Sequence, residues 1–347
     1  MSDKRVLIIS LGNIAHTVYT LPLANVLTAY NYKVDYAVSE PGFSVINKNH
    51  VVSKAFLLSM ERWSGNWLNS DTWEAFFKVV NRIKTVEYDI VIDCQQDFRS
   101  LLLFAMCNGK RKLTYSDAKG FSSIGANEII DSSMPSLRTQ VHNIVERNLN
   151  FLKYLKMDYE VVDFPLPPPN FGTALKYNSI FENFNNGKKT ILISAGARNE
   201  NKRWSVQNWM TLISQIKNDY NLLFSGSTLD VPFVKEIGGE AFVNITGETK
   251  IESMFEVLRK VDIVISGETE ITALAWAIGH PNIITLFTCS SPEKYAPLNY
   301  NNVEKYKSLY GALPCQPCSG NDCFDVVAKC RSFPTVDDVM RALKSFG

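Results

Sequence analysis

Lys202 and Arg203, adjacent cations that follow the small-residue turn Ala195, Gly196, Ala197, are where residue type and spacing first suggest chemistry. They lie in ILISAGARNENKRWSVQNW, which runs from an apolar, β-branched strand through that turn to a helix opened by Ser205. The first N–H groups of a helix have no intrahelical partner, and the helix dipole favours negative charge beside them, so a phosphate is a fitting guest. Arg203 as a planar fork and Lys202 as a mobile point charge could add charge-assisted hydrogen bonds. The same residues also describe a solvated first helical turn with two surface cations. The turn carries neither GxxxxGK[ST] nor GxGxxG, so a P-loop NTPase or a dinucleotide-binding dehydrogenase is not supported.

Other candidates stand at the ends of other apolar runs. After NLLF, the SGSTLD loop offers Gly226 for a sharp turn and Asp230 just beyond it, where a helix-capping role is the plain alternative. After DIVI, SGETEIT places Glu268, Thr269, Glu270 and Thr272 at a helix start; acids there complement the dipole, yet a Glu at a strand end could also accept hydrogen bonds from sugar hydroxyls. Near the N-terminus, LGNIAHT supplies Gly12, Asn13 and His16, one of four histidines and a group that titrates in the range a general base needs. In CQQDFRS, Asp97 and Arg99 could pair with each other, or Arg99 could meet an anionic acceptor.

The elements that must position these groups alternate strand and helix. RVLIIS, KVDYAVS, VVSKAFLL, YDIVIDC and KLTYS read as strands, separated by helices through LPLANVLTAY, TWEAFFKVVNRIK and QQDFRSLLLFAMC and followed by one through VHNIVERNLNFLKYL. Such grammar gives a parallel sheet covered by helices on both faces. Four prolines within residues 165–169 then force an extended connector, and the grammar restarts at KKTILISAG. We therefore expect an α/β protein with an N-terminal domain over 1–164, a linker over 165–172 and a C-terminal domain over 173–347, with a ligand cleft at the carboxyl ends of two sheets.

Composition narrows the field. At 347 residues the chain suits two domains, 46% hydrophobic and 20% charged residues describe a folded soluble protein, and a formal charge of +1 gives no pull toward nucleic acid. The opening MSDKRVLIIS has no signal-peptide layout and no apolar run approaches a membrane span, so a cytoplasmic protein is expected. Cys94, Cys107 and Cys289 lie in apolar contexts and read as small core residues. Cys315, Cys318, Cys323 and Cys330 follow C-x2-C-x4-C-x6-C, ligand spacing for a closed structural zinc or iron, with free thiols in a packed loop as the alternative. No cofactor is required for catalysis in this reading.

Taken together, these segments resemble the lipopolysaccharide heptosyltransferase family, glycosyltransferase family 9. The likeness runs through LGN…TLP, IDCQQDFRSLLL, GARNENKRWSVQNW, ITGETKIESMFEVLRKVDIVISGETEITALAWAIGHPNIITLF and PCQPC…C…C followed by FPTVDDVMRAL. It implies a GT-B fold of two Rossmann-like domains, and inverting transfer from ADP-heptose to a lipopolysaccharide core or related glycan, with peripheral contact at the inner membrane surface. It further implies that Lys202 contacts the donor diphosphate, with Gly196, Ala197 and Arg203 nearby, and that the SGETEIT segment holds the donor sugar and nucleotide. Arg99 and Gly12 fall on the acceptor side. Two departures stand out. Asn13 occupies the place of the family's proposed Asp base, and an amide cannot serve as a base. Glu268, Thr269, Glu270, Ile271, Thr272 and Ala273 replace Asp-Thr-Gly-x-x-His. The expected activity is a glycosyltransferase with His16 or Asp97 as base; a degenerate GT-B protein that binds nucleotide-sugar or acts as a scaffold is the alternative, and a GT-B epimerase fits less well.

Overall fold

The computed structural model describes residues 4–59, 69–116, 124–130, 143–168, 177–182, 184, 186–299, 305–318, 320, 323 and 328–347. The chain divides into two compact units, Met1–Pro168 and Pro169–Gly347; the end of the proline run, from Pro169, lies outside the described residues.

The first unit is built on β1 (Arg5–Ser10), β2 (Lys33–Ser39), β3 (Lys54–Leu58), β4 (Tyr88–Asp93), β5 (Gly109–Tyr115) and β6 (Glu128–Ile130). All pairs are parallel, in the order β3-β2-β1-β4-β5-β6. Val6 to Ile9 of β1 are fully buried, as a strand covered on both faces requires. The second unit repeats the plan with β7 (Thr190–Ser194), β8 (Asn221–Phe224), β9 (Val243–Asn244), β10 (Ile263–Gly267), β11 (Ile283–Phe287) and β12 (Tyr306–Tyr310). Their order, β12-β11-β10-β7-β8-β9, is the same sequence of steps read from the other side.

That shared order positions the sites. In each unit the first strand lies beside the fourth: Ile9 pairs with Asp93 and Ser194 with Ser266. The chain leaves the first strand toward one edge of the sheet and the fourth toward the other, so their two loops diverge and leave a crevice at the carboxyl ends. The loops in question are 11–13 with 94–97 in the first unit, and 195–199 with 268–269 in the second.

Several elements differ from the sequence expectation. The helix expected from Gln95 starts at Phe98, because Asp97 caps it. Short helices over Ile14–Val18 and Glu40–Ile46 were not foreseen, nor were β6, β9 and β12. The two residues of β9 are too few for any period to show, and β12 is half-exposed along its whole length, without the alternation of a one-sided strand. Among the described residues no helix is long and apolar enough to cross a membrane.

Candidate functional site

In the second unit, the crevice between β7 and β10 gathers a compact set of polar side chains. Lys202, from the single 3₁₀ turn Glu200–Lys202, places its Nζ 3.2 Å from each carboxylate oxygen of Glu268, the residue just after β10. Both side chains are shielded, with 26% and 17% of their surfaces exposed. Ser290, buried in the loop after β11, donates its hydroxyl to Oε2 of Glu268. The Tyr295 ring lies 5.9 Å from the ammonium. Thr269 stands at the N-cap of the Glu270–Ala277 helix without making a side-chain cap, and its Oγ1 is buried without a hydrogen-bond partner among the described residues. An orphan hydroxyl is costly unless something fills it. Glu270 opens that helix, while Thr272 turns inward, its hydroxyl 2.8 Å from the Gly267 carbonyl and bonded to Ser266.

Other members of the expected donor set are engaged in structure. Arg203 donates from Nε to the Ala197 carbonyl at 2.9 Å and lies 5.2 Å above the Phe233 ring, so it braces the turn rather than standing as a second exposed cation. Asp230 accepts from the Ser227 N–H and hydroxyl at 2.8 and 2.7 Å, which makes it a loop cap. A Cβ on Gly196 would sit 2.0 Å from that carboxyl, and one on Gly226 would sit 3.0 Å from it; the two glycines let the loops after β7 and β8 close together. The helix begun by Ser205 is not an open anion site. Ser205 Oγ caps Asn208, the Ser205 N–H goes to the Arg331 carbonyl, and Asn208 and Trp204 donate to Ser332 and Pro334. The cysteine-bearing segment thus covers that helix start, and of the two adjacent cations expected there it is Lys202 that faces the crevice.

In the first unit the corresponding crevice holds Gly12, Asn13, His16, Gln95, Asp97 and Arg99. Asn13 is the N-cap of Ile14–Val18, its Oδ1 accepting from the His16 N–H at 3.1 Å, which accounts for an amide where a base would be expected. The His16 ring folds back over Gly12: a Cβ there would lie 2.3 Å from His16 Nδ1 and 2.6 Å from Gln95 Oε1. Ser39, at the end of β2, fixes the same turn by donating to the Gly12 carbonyl at 2.6 Å.

Asp97 caps the Arg99 and Ser100 N–H groups through Oδ1 and binds Arg99 through Oδ2 at 2.7 Å. Burial alone would raise its carboxyl, but the Arg99 guanidinium and the backbone N–H groups outweigh burial and hold it below the usual carboxylate range. Asp97 is therefore a poor base, and Arg99 first serves Asp97. Its side chain is nonetheless 41% exposed, next to Phe98, which is 65% exposed. Sequence reasoning missed Asp93. Fully buried at the end of β4, it accepts from the Gln95 and Gln96 N–H groups at 3.0 Å and from the Ser100 hydroxyl at 2.8 Å. Burial pushes its carboxyl up to about 6 against these hydrogen bonds. Its sequence signal was an acid closing an apolar strand. Ser290 gave none, being one of two serines after a strand.

Of the cysteines, Cys107 and Cys289 are buried as expected, but Cys94 is partly exposed. All seven are free thiols; Cys315, Cys318 and Cys323 are exposed and Cys330 is buried. Among the described residues no group of three or more His, Cys, Asp or Glu is arranged to hold a metal ion, so the expected ligand set is not formed as it stands. Cys330 is nevertheless near enough to the other three that, after burial, their charge is what raises its thiol.

The decisive comparison is with a family model described as glycosyltransferase family 9 (heptosyltransferase), which matches residues 76–325. The chain belongs to glycosyltransferase family 9. Of its relatives, the lipopolysaccharide core heptosyltransferase OpsX of Haemophilus influenzae is 21% identical over 252 residues, spanning 69% of this chain and 67% of that one. Among solved structures, a glycosyl transferase family 9 protein from Veillonella parvula superposes with a TM-score of 0.78 at 14% identity, covering 100% of this chain and 98% of that one. The heptosyltransferase WaaC of E. coli, solved with ADP, gives 0.72 at 18% identity over 99% and 100% of the two chains. These likenesses show a GT-B fold, and family membership makes this chain a glycosyltransferase of the heptosyltransferase group.

Proposed function

We propose that this family 9 member transfers a sugar, in our reading a heptose, with inversion from ADP-heptose to a lipopolysaccharide core or related glycan. The Lys202–Glu268 pair beside the orphan Thr269 hydroxyl, at the β7/β10 crevice, carries this reading. It supplies what a nucleotide-sugar needs: a cation for the diphosphate, a carboxylate for sugar hydroxyls and an unused hydroxyl at a helix start. The relative WaaC was solved with ADP and with ADP-2-deoxy-2-fluoro heptose, which supports the donor class.

In the single displacement, the acceptor hydroxyl oxygen attacks the anomeric carbon opposite the phosphate. The new C–O bond forms as the bond to the β-phosphate oxygen breaks, and ADP departs with the electron pair. Lys202 neutralises the charge growing on that oxygen. His16 takes the acceptor proton, since Asn13 cannot and the Arg99 pairing and helix-cap hydrogen bonds weaken Asp97 as a proton acceptor. Arg99 and the exposed Phe98 face the acceptor. No cofactor enters these steps; a zinc or iron at Cys315, Cys318, Cys323 and Cys330 would be structural, four thiolates leaving no open position. The protein would be cytoplasmic and meet the inner membrane surface only through its glycolipid acceptor.

The test is turnover of ADP-heptose with a lipopolysaccharide core oligosaccharide by the intact chain, with Lys202→Ala and His16→Ala beside it. Transfer should fall on the order of 100-fold or more in each variant. Full activity in Lys202→Ala would remove its diphosphate role. A second reading, a transferase that binds nucleotide-sugar without turning it over, is favoured by Asn13 and Asp97 both being spent on helix caps. ADP binding by calorimetry with no transfer to any core acceptor would establish it instead.

A further inference from the structure

We propose that Ser290 is a positioning residue for the donor crevice, holding Glu268 so that Lys202 stays available to a nucleoside diphosphate. This rests on the donor reading of the crevice given above. The contact pattern is specific. Lys202 Nζ is 3.2 Å from Oε1 and 3.2 Å from Oε2 of Glu268, so it bridges the carboxylate instead of pointing at one oxygen. Oε2 is also where the Ser290 hydroxyl donates. One oxygen is thus shared between a mobile cation and a hydroxyl on a fixed loop.

The loop is fixed because its neighbours are tied on both sides. Thr288 donates its hydroxyl to the Asn201 carbonyl at 2.9 Å, next to Lys202 itself. The Cys289 carbonyl accepts from the Cys318 N–H at 2.8 Å, and Gln316 donates to the Thr288 carbonyl. Ser290 is only 6% exposed, so bulk water competes little with Glu268 for its hydroxyl.

The consequence follows from side-chain freedom. A glutamate has three torsions and can follow a lysine ammonium wherever it swings, forming a closed ion pair that a diphosphate must break. With Oε2 anchored to Ser290, Glu268 cannot follow. Lys202 can then turn its remaining N–H groups to phosphate oxygens while the anchored carboxylate remains in place for sugar hydroxyls. Ser290 touches neither ligand in this account and works only through Glu268.

The experiment is a calorimetric titration of the intact chain with ADP, in wild type, Lys202→Ala, Ser290→Ala, Ser290→Thr, Glu268→Gln and the Ser290→Ala/Glu268→Gln double variant, each checked for an unchanged melt. Ser290→Ala should weaken ADP by about three- to tenfold, the size expected for the net loss of one ordinary hydrogen bond. Ser290→Thr, which keeps the hydroxyl, should restore binding to within about twofold, and in the Glu268→Gln background Ser290→Ala should change nothing. Wild-type affinity in Ser290→Ala overturns the proposal, as does a loss that persists undiminished in the Glu268→Gln background, which would mean the serine acts on the loop alone. If wild type binds no ADP, the donor reading itself fails and the proposal falls with it; if wild type binds and Lys202→Ala does not, the two can be judged apart.

Discussion

Asp93 shows how a single buried group can govern a site it does not enter. Its carboxyl has no exposure and is pushed from its ordinary 3.8 to about 6, first by burial, with the Gln96, Ser100 and Gln95 hydrogen bonds working against it. An acid whose folded value is raised binds more protons in the native state than in the unfolded chain between those two pH values. Stability therefore falls as pH rises from about 4 to about 6 and stays lower above that. Asp93→Asn should remove this dependence. Its amide oxygen can still accept from Gln95 and Gln96, its N–H₂ can donate to Ser100 Oγ, and the Ser100 hydroxyl already has the Asp97 carbonyl at 3.0 Å as an alternative acceptor. The variant should gain at most about 2–3 kcal/mol at pH 8 and nothing at pH 4, since two pK steps set the ceiling. Denaturant melts at the two pH values measure it, and a destabilisation larger at pH 8 than at pH 4 would mean that the carboxylate charge itself is needed to hold the loop.

Among the elements, the cysteine-bearing segment ties the donor turn to the rest of the second unit. Arg331 receives the Ser205 N–H on its carbonyl, donates to the Arg203 carbonyl at 3.3 Å and pairs with Glu200 at 2.9 Å, while the Asn201 side chain reaches Gly320. The turn that carries Lys202 is thus gripped from one side by this segment. The described thiols are not arranged as a ligand set, so a zinc or iron would have to draw them together, and zinc added to the chain should then raise the melting temperature of wild type and not of Cys318→Ser, because binding free energy becomes folding free energy. A wild-type melt unmoved by zinc would leave the segment as a loop of free thiols. Much of this level was legible in advance. Long apolar or periodic runs such as YDIVID and SVQNWMTLISQI announced themselves. What was hidden follows from physics outside a local window: the Glu40–Ile46 helix is too short for a period, and the covering of Ser205 comes from residues more than a hundred positions away.

At the scale of the molecule, each unit carries its own crevice at the same step of the same strand order, and the two candidate sets differ in character. The first unit presents His16, Arg99 and an exposed Phe98; the second presents Lys202, Glu268 and Ser290. The residue types were readable in the sequence, but their division of labour was not, since Arg203 and Asp230 look as functional as Lys202 until their partners are known. If the second unit alone holds the nucleotide, binding and transfer separate by unit. Arg99→Ala and His16→Ala should bind ADP within about twofold of wild type, whereas Lys202→Ala should weaken it by at least about tenfold, the worth of one charge-assisted contact to phosphate. All three should lose transfer to the core oligosaccharide, because the proposed displacement assigns roles to residues of both sets. Paired calorimetry and turnover assays on the same preparations decide the matter: an Arg99→Ala protein that loses ADP as severely as Lys202→Ala would mean that the first unit also grips the nucleotide, and the assignment of donor and acceptor to separate units would have to be withdrawn.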